Sequence, residues 1–271
     1  VTIRRQTPIP IEIMDRYQSV ILAIDIMFIN KIPFFMTISR NLRFGTSERI
    51  GNRQSSTLVT AMKQVKQVYQ KRGFKITTVL GDNEFEPIRE DLAELQMSFN
   101  PVAANEHVPE IERYIRTVKD RVRSVYTTLP YRKMPAILIA GMVTFSVLWL
   151  NMFPKIGGIS PTVSPRTIIT GMTPDFKSLC RIEFGAYAQT HEQHDNSMAT
   201  RTTGAISLGP AGTIQGGYHF MSLSAGKRLH RNEWTDLPMP NEVINRIHFL
   251  AGRLPTGLTF ADGRGNTLLD P

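Results

Sequence analysis

The 271-residue chain is long enough to bury a full hydrophobic core, and 41% hydrophobic residues is ordinary for a globular protein. Its 32 lysines and arginines against 23 aspartates and glutamates give a net charge of +9, which favours a polyanionic partner, nucleic acid ahead of membrane. The single cysteine excludes a disulfide and a cysteine-based zinc site, and predicts an intracellular protein. No signal peptide is visible, and the start at Val1 predicts a piece of a longer precursor.

The first strands carry one acidic residue among apolar neighbours. Residues 1–18 predict an irregular extension because Pro8 and Pro10 limit regular structure, and the apolar runs 19–25 and 33–39 predict a β-hairpin. Asp25 lies inside the first run, where a carboxylate is costly unless it is paired or bound to a cation. A buried aspartate that holds a turn is the alternative explanation.

A second acidic residue follows a predicted core strand. Residues 40–54 are basic and polar and predict a loop, and residues 55–72 predict an amphipathic helix. The β-branched run 75–80 then ends at Asp82, just beyond the carboxyl end of a strand, a common position for chemistry in an α/β sheet. An aspartate that simply forms a turn explains the same pattern. A short helix over 87–95 and a short strand over 97–102 complete this region.

The next helix combines an apolar stripe with a charged ridge. Pro109 suits a first helical residue, and apolar residues recur at helical spacing at Ile111, Ile115, Val118, Val122 and Val125. The ridge comprises one acidic residue, Glu112, and the cations Arg116, Lys119 and Arg123, and Arg113 directly follows the acidic residue. They form either a solvated face with a Glu–Arg pair, or a metal ligand followed by nucleic-acid phosphate contacts. An acidic stretch over 81–112 between basic segments suits the second interpretation.

Asp25, Asp82 and Glu112 together have the composition of a two-metal phosphoryl-transfer site. Two divalent cations about 4 Å apart need carboxylate oxygens on both flanks. The residues around these acids resemble the three motifs of retroviral-type integrases, and most closely those of the Ty1/copia class of retrotransposon integrases. The matching stretches are Ile21-Leu-Ala-Ile-Asp25, Thr78-Val-Leu-Gly-Asp82-Asn83 and Pro109-Glu-Ile-Glu112-Arg-Tyr-Ile-Arg-Thr-Val118, with Asn151-Met-Phe-Pro154 and Gly204-Ala-Ile-Ser-Leu-Gly209 further along.

The resemblance implies an α/β, RNase H-like mixed sheet with flanking helices, followed by a small β-rich, barrel-like module. It implies that Asp25, Asp82 and Glu112 are catalytic and hold two Mg²⁺ or Mn²⁺ ions. The implied activity is DNA integration: processing of the 3′ ends of element DNA, then strand transfer into target DNA. A homo-oligomer that acts in the nucleus on element ends and target DNA, with no membrane partner, is expected.

Two departures from the family pattern affect the loops around the site. The glycine usual after the Asp-Asn pair is missing before Glu84, and Val108-Pro109 replaces an Asn-Gly pair before Glu112. The family's zinc-binding His/Cys module has no counterpart, and His191-x-x-His194 has no matching ligands nearby. Two alternatives stay open: a non-catalytic DNA-binding or assembly remnant of the element, and an RNase H-type nuclease.

Composition suggests the domain boundaries. We expect an extension over 1–18, a catalytic core over 19–154, a Pro/Gly-rich connector over 155–181, a β-rich module over 182–250 and a linker or tail over 251–271. The uncharged stretch from Met134 to Pro154 is as apolar as a transmembrane helix, but its prolines and polar residues favour a buried core helix.

Overall fold

The computed structural model describes residues 6–101, 108–192, 198, 200–213 and 216–261, which group into two compact units. The first unit comprises Val1–Asp120, Val147–Pro174 and Thr259–Pro271, and the second Arg121–Ser146 and Asp175–Leu258. The domain boundaries expected from composition stay predictions.

The helices and strands up to residue 128 follow the expected order with three additions. They are α1 (Ile11–Tyr17), β1 (Ser19–Ile29), β2 (Ile32–Ser39), β3 (Gly45–Arg49), α2 (Ser55–Gln70), β4 (Lys75–Gly81), a 3-10 helix (Asn83–Ile88), α3 (Arg89–Glu94), β5 (Ser98–Pro101) and α4 (Pro109–Thr128). The additions are α1 and β3, which the sequence predicts as irregular extension and loop, and the 3-10 helix, which lies mostly before the helix predicted over 87–95. The polar strand β3 forms because β2 offers it a hydrogen-bonding edge, and a buried Thr37–Thr46 hydroxyl bond of 2.8 Å supports the pair.

The first unit is built on a mixed sheet with the strand order β3-β2-β1-β4-β5. Strands β1, β2 and β3 are antiparallel neighbours, whereas β4 runs parallel to β1 and β5 parallel to β4. The β1–β2 hairpin turns at Asn30 and Lys31, whose φ values of 48° and 64° are those of a tight hairpin turn. A mixed sheet with flanking helices therefore confirms the predicted fold class for this unit.

Alternation along β1 assigns its residues to the two faces of the sheet. Val20, Leu22, Ile24 and Ile26 belong to one core cluster, together with the buried side of α2. Because successive side chains of a strand point to opposite faces, Asp25 lies on the face away from α2.

The last described residues return to the first unit. Strand β11 (Phe260–Ala261) pairs antiparallel with Phe28 and Ile29 at the end of β1, in a segment that the sequence predicts as a tail. The Asn30 side chain accepts hydrogen bonds from the backbone N–H and the hydroxyl of Thr259, at 2.6 and 2.9 Å. These contacts join residues more than 200 positions apart, so no local sequence pattern predicts them. The rest of the predicted tail, 262–271, lies outside the described residues.

The second unit contains the predicted β module. Its strands are β6 (Tyr187–His191), β7 (Thr202–Pro210), β8 (Tyr218–Ser222), β9 (Arg228–Arg231) and β10 (Trp234–Asp236), in the antiparallel order β10-β6-β7-β8-β9. This separate antiparallel sheet confirms the predicted small β-rich module. Its sheet is followed by a helix in a segment expected to be β-rich, α8 (Asn241–Ala251), in which Val243, Ile247 and Ala251 are buried.

Three further helices complete the chain, and the uncharged stretch forms the longest of them. They are α5 (Ala136–Met152), α6 (Pro165–Thr170) and α7 (Phe176–Leu179). Along α5, Leu150 is buried, whereas Phe145, Leu148 and Trp149 are half-buried. Within the described part of the chain, no helix combines the length and apolar character needed to cross a membrane.

Candidate active site

Asp25 lies where β1 extends past its parallel neighbour. Strand β4 pairs with β1 from Ser19 to Ala23, and the last partners are Ala23 and Leu80. The Asp25 side chain is half-buried, and its Oδ1 accepts a hydrogen bond from the backbone N–H of Ile26 at 2.7 Å. The carboxyl group is therefore at the edge of the sheet's paired region and partly removed from water.

Asp82 reaches the same level of the sheet from the neighbouring strand. Parallel strands rise equally per residue, so two positions beyond the Ala23–Leu80 pair bring Asp82 level with Asp25. Asp82 is exposed and caps the 3-10 helix, since its Oδ1 accepts the backbone N–H of Glu84 at 3.0 Å. This cap turns the chain away from the sheet immediately after the carboxylate.

The third predicted acid, Glu112, lies in the first turn of α4. It is exposed, and its backbone N–H donates to the Val108 carbonyl at 3.3 Å. Its neighbour Glu110 forms an ion pair with Arg40, since Oε1 of Glu110 lies 2.8 Å from Nε of Arg40. Burial opposes ionisation of Glu110, but hydrogen bonds from Arg40 and from its own backbone, with the nearby cationic charges, hold its pKa below the ordinary value.

The electrostatics of Asp25 link the three predicted acids. Burial, partly opposed by the Ile26 hydrogen bond, is the main cause that raises the pKa of Asp25 to about 7. The negative charges of Asp82, Glu84 and Glu112 raise it further, in that order. Carboxylates from the end of β4, the 3-10 helix and α4 thus act on Asp25 of β1, although the four residues span 88 positions of sequence.

The donor chemistry of these acids suits a hard divalent cation. Carboxylate oxygens are the ligands that Mg²⁺ and Mn²⁺ prefer, and a cation would neutralise the repulsion that Asp25 experiences. Among the described residues, no three His, Cys, Asp or Glu side chains form a ready-made group for a metal ion. In this structure the charges of Asp82 and Glu112 raise the pKa of Asp25, but the three carboxylates do not surround one point. The second histidine of the His191-x-x-His194 pair lies outside the described residues.

The cations of α4 differ in their exposure. Arg113 and Arg116 are exposed, and Arg123 is half-buried. Lys119, which we expect from sequence to contact DNA, is only 7% exposed. Its Nζ donates to the Ala261 carbonyl at 3.3 Å and lies 5.9 Å from the centre of the Phe260 ring. Lys119 therefore holds β11 in this structure and does not present its charge to a ligand, because the returning chain covers it.

Comparisons with known proteins give structural neighbours only. No protein-family model and no curated protein matches the chain. Its fold is similar to retroviral integrase catalytic cores. The BIV integrase core has 17% sequence identity and a TM-score of 0.42, over 55% of this chain and 92% of that one. The trimeric form of the HTLV-2 integrase core in complex with magnesium has 13% identity and a TM-score of 0.42, over 55% of this chain and 95% of that one. Its dimeric form has 13% identity and a TM-score of 0.41, over 55% of this chain and 94% of that one. Similarity of this extent assigns no function, which therefore depends on the site's own residues.

Two residues near the site are not among those predicted from sequence. Glu84 is one of the three acids whose charges raise the pKa of Asp25, and its Oε1 lies 2.8 Å from Nη1 of Arg53. Glu84 directly follows the matching stretch that ends at Asn83, so its position was a usable signal. Arg53 belongs to the basic loop 40–54, and its proximity to the site follows only from the path of the chain in three dimensions.

Proposed function

We propose that this chain is the catalytic core of a DNA integrase of the Ty1/copia class, with metal-dependent 3′-end processing and strand transfer as its activities. The observation that carries the proposal is the placement of the acids: Asp25 and Asp82 are level on neighbouring parallel strands, and the charges of Asp82 and Glu112 both raise the pKa of Asp25. These acids come from a strand, the end of its parallel neighbour and the start of a helix, in the order of the family motifs. Carboxylates at these three positions are what a two-metal phosphoryl-transfer site requires.

The proposed roles follow from the position of each carboxylate. Asp25 would be shared between two divalent cations, with Asp82 completing one site and Glu112 the other. When bound, such cations activate the attacking oxygen and neutralise charge that develops on the phosphate. Without them, a pKa of about 7 leaves the Asp25 carboxyl group partly protonated near neutral pH, so cation binding and loss of this proton are coupled.

The cations of the chain suit the DNA substrate. Arg113 and Arg116 project from α4 close to Glu112 in sequence and are exposed, so they are the proposed phosphate contacts nearest the site. The half-buried Arg123, further along α4, stays a predicted contact. A net charge of +9 supports binding of DNA, because attraction between cationic side chains and phosphates does not depend on base sequence. Action on element ends and target DNA, as a homo-oligomer in the nucleus, belongs to the same proposal.

A strand-transfer assay tests the proposal. The chain is incubated with Mg²⁺ or Mn²⁺ and a duplex that carries the element's end sequence, and joined and cut products are resolved separately. Joining that disappears in Asp25→Asn, Asp82→Asn and Glu112→Gln supports an integrase. Cutting without joining identifies a nuclease, and DNA binding with neither product identifies a non-catalytic remnant.

A further inference from the structure

A partly exposed ion pair joins the loop before α2 to the turn after Asp82. Nη1 of Arg53 lies 2.8 Å from Oε1 of Glu84, with 50% and 27% of the two side chains exposed. The Arg53 guanidinium also lies over the ring of Phe28 on β1, with its Cζ 5.7 Å from the ring centre. Arg53 thus contacts both the strand that carries Asp25 and the turn that follows Asp82.

Glu84 is coupled to Asp82 through its backbone. The Glu84 N–H donates to Oδ1 of Asp82 at 3.0 Å, so the position of Glu84 and the orientation of the Asp82 carboxylate depend on each other. The next residue, Phe85, is fully buried and contacts Phe35 edge to face. The 3-10 helix is therefore fixed on its core side by Phe85 and on its solvent side by the ion pair.

We propose that Arg53 and Glu84 are positioning residues that orient the Asp82 carboxylate for the reaction. This inference rests on the proposed function, in which Asp82 holds a divalent cation. Arg53 fixes Glu84, Glu84 fixes Oδ1 of Asp82, and the contact of Arg53 with Phe28 relates both to β1. The two residues act through Asp82 and not on the reacting atoms.

The exposure of the pair separates this role from a general contribution to stability. Ion pairs that are exposed to this extent contribute little to the free energy of unfolding. A small displacement of a catalytic group, by contrast, lowers a reaction rate by up to about 100-fold. Removing either charge should therefore change catalysis and cation binding while the fold keeps its stability.

The test uses four variants of the full chain and one matched control. The variants are Arg53→Gln, Glu84→Gln, the double substitution, and the charge-swapped Arg53→Glu with Glu84→Arg. The control is Glu86→Gln, because Glu86 lies on the same 3-10 helix and pairs with Arg89 instead. The measurements are kcat and KM for strand transfer, Mn²⁺ affinity without DNA by electron paramagnetic resonance, and the thermal unfolding midpoint.

We expect each single substitution to lower kcat and Mn²⁺ affinity by about tenfold, with KM for DNA and the unfolding midpoint unchanged. The double substitution should be no worse than either single one, because both remove the same interaction. The swapped pair should recover at least part of the loss, and Glu86→Gln should match the unaltered chain.

Several outcomes would overturn the inference. Single variants with unaltered kcat and Mn²⁺ affinity would show that Asp82 does not depend on the pair. A raised KM confined to Arg53→Gln would make Arg53 a direct DNA contact, and a parallel loss of unfolding temperature would make the pair structural. Asp82→Asn separates the two proposals: if it retains joining, the proposed function fails, whereas if it alone is inactive, only the positioning role fails. An unaltered chain that binds no Mn²⁺ overturns both.

Discussion

The side-chain amide of Asn151 pairs with both backbone polar groups of Gly45. Its Oδ1 accepts the Gly45 N–H at 3.0 Å, and its Nδ2 donates to the Gly45 carbonyl at 2.7 Å. Gly45 begins β3, the edge strand of the mixed sheet, so the amide takes the place that another strand would occupy. A Cβ at position 45 would overlap the Tyr114 ring of α4, so glycine is required for this close approach.

We expect Asn151→Leu to destabilise the protein by about 2–3 kcal/mol. Leucine keeps the approximate volume but leaves the buried N–H and C=O of Gly45 without partners. Asn151→Asp should destabilise it too, because a carboxylate accepts from the N–H but repels the carbonyl. Urea unfolding measures both effects. Ser146→Ala is the control, since its buried hydroxyl donates only within α5, to Met142; an equal loss in this variant would contradict the edge-pairing explanation.

Asp25 should make the cation-free protein less stable as pH rises. Its folded-state pKa of about 7 is above the ordinary 3.8, so between these values the folded chain binds more protons than the unfolded chain. Stability from this group is therefore full below about pH 4 and is lost as pH rises through 7. Asp25→Asn should leave stability nearly unchanged at pH 4 and raise it by about 2–4 kcal/mol at pH 8.

Chemical unfolding in EDTA at the two pH values measures the Asp25 effect. The stabilised Asp25→Asn variant should lack strand transfer, because the same carboxylate is the proposed cation ligand. A difference between variant and unaltered chain that stays constant with pH would contradict the raised pKa.

The two first-turn acids of α4 should differ in function. Residues two positions apart project about 200° apart around a helix, so Glu110 and Glu112 cannot both reach one site. Glu112 acts on Asp25, whereas Glu110 binds Arg40. Glu112→Gln should abolish metal-dependent joining and leave DNA affinity largely intact, and Glu110→Gln should have little effect on either. Joining and DNA-binding assays decide this, and an inactive Glu110→Gln would show that the third motif is assigned in the wrong register.

Substitution of Arg116 should weaken DNA binding, whereas substitution of Lys119 should lower the stability of the fold. Arg116→Ala should weaken binding to all DNA sequences and lower the salt slope by about one unit, as expected for one lost phosphate contact. Lys119→Ala should instead lower the free energy of unfolding by about 1–3 kcal/mol, because Lys119 holds Ala261 and the Phe260 ring. DNA binding at two salt concentrations, together with urea unfolding, separates them. If Lys119→Ala reduced the salt slope of DNA binding without loss of stability, the DNA contact predicted from sequence would be supported instead.

The sequence by itself determined the elements whose signals are local. Alternating and helical spacing of apolar residues predicted β1, β2, β4, α2 and α4. In each segment this spacing places the apolar residues on the face that is buried. The order of the acids along these elements, with the neighbouring motif residues, was enough to nominate Asp25, Asp82 and Glu112.

Only the tertiary structure decided the features that depend on distant partners. The polar strand β3 has little propensity of its own and forms because β2 and Asn151 satisfy its backbone. Lys119 has the sequence context of an exposed cation, yet β11, more than 100 residues later, covers it. The raised pKa of Asp25 has the same origin, because burial and the charges of neighbouring elements exist only once the chain has brought them together.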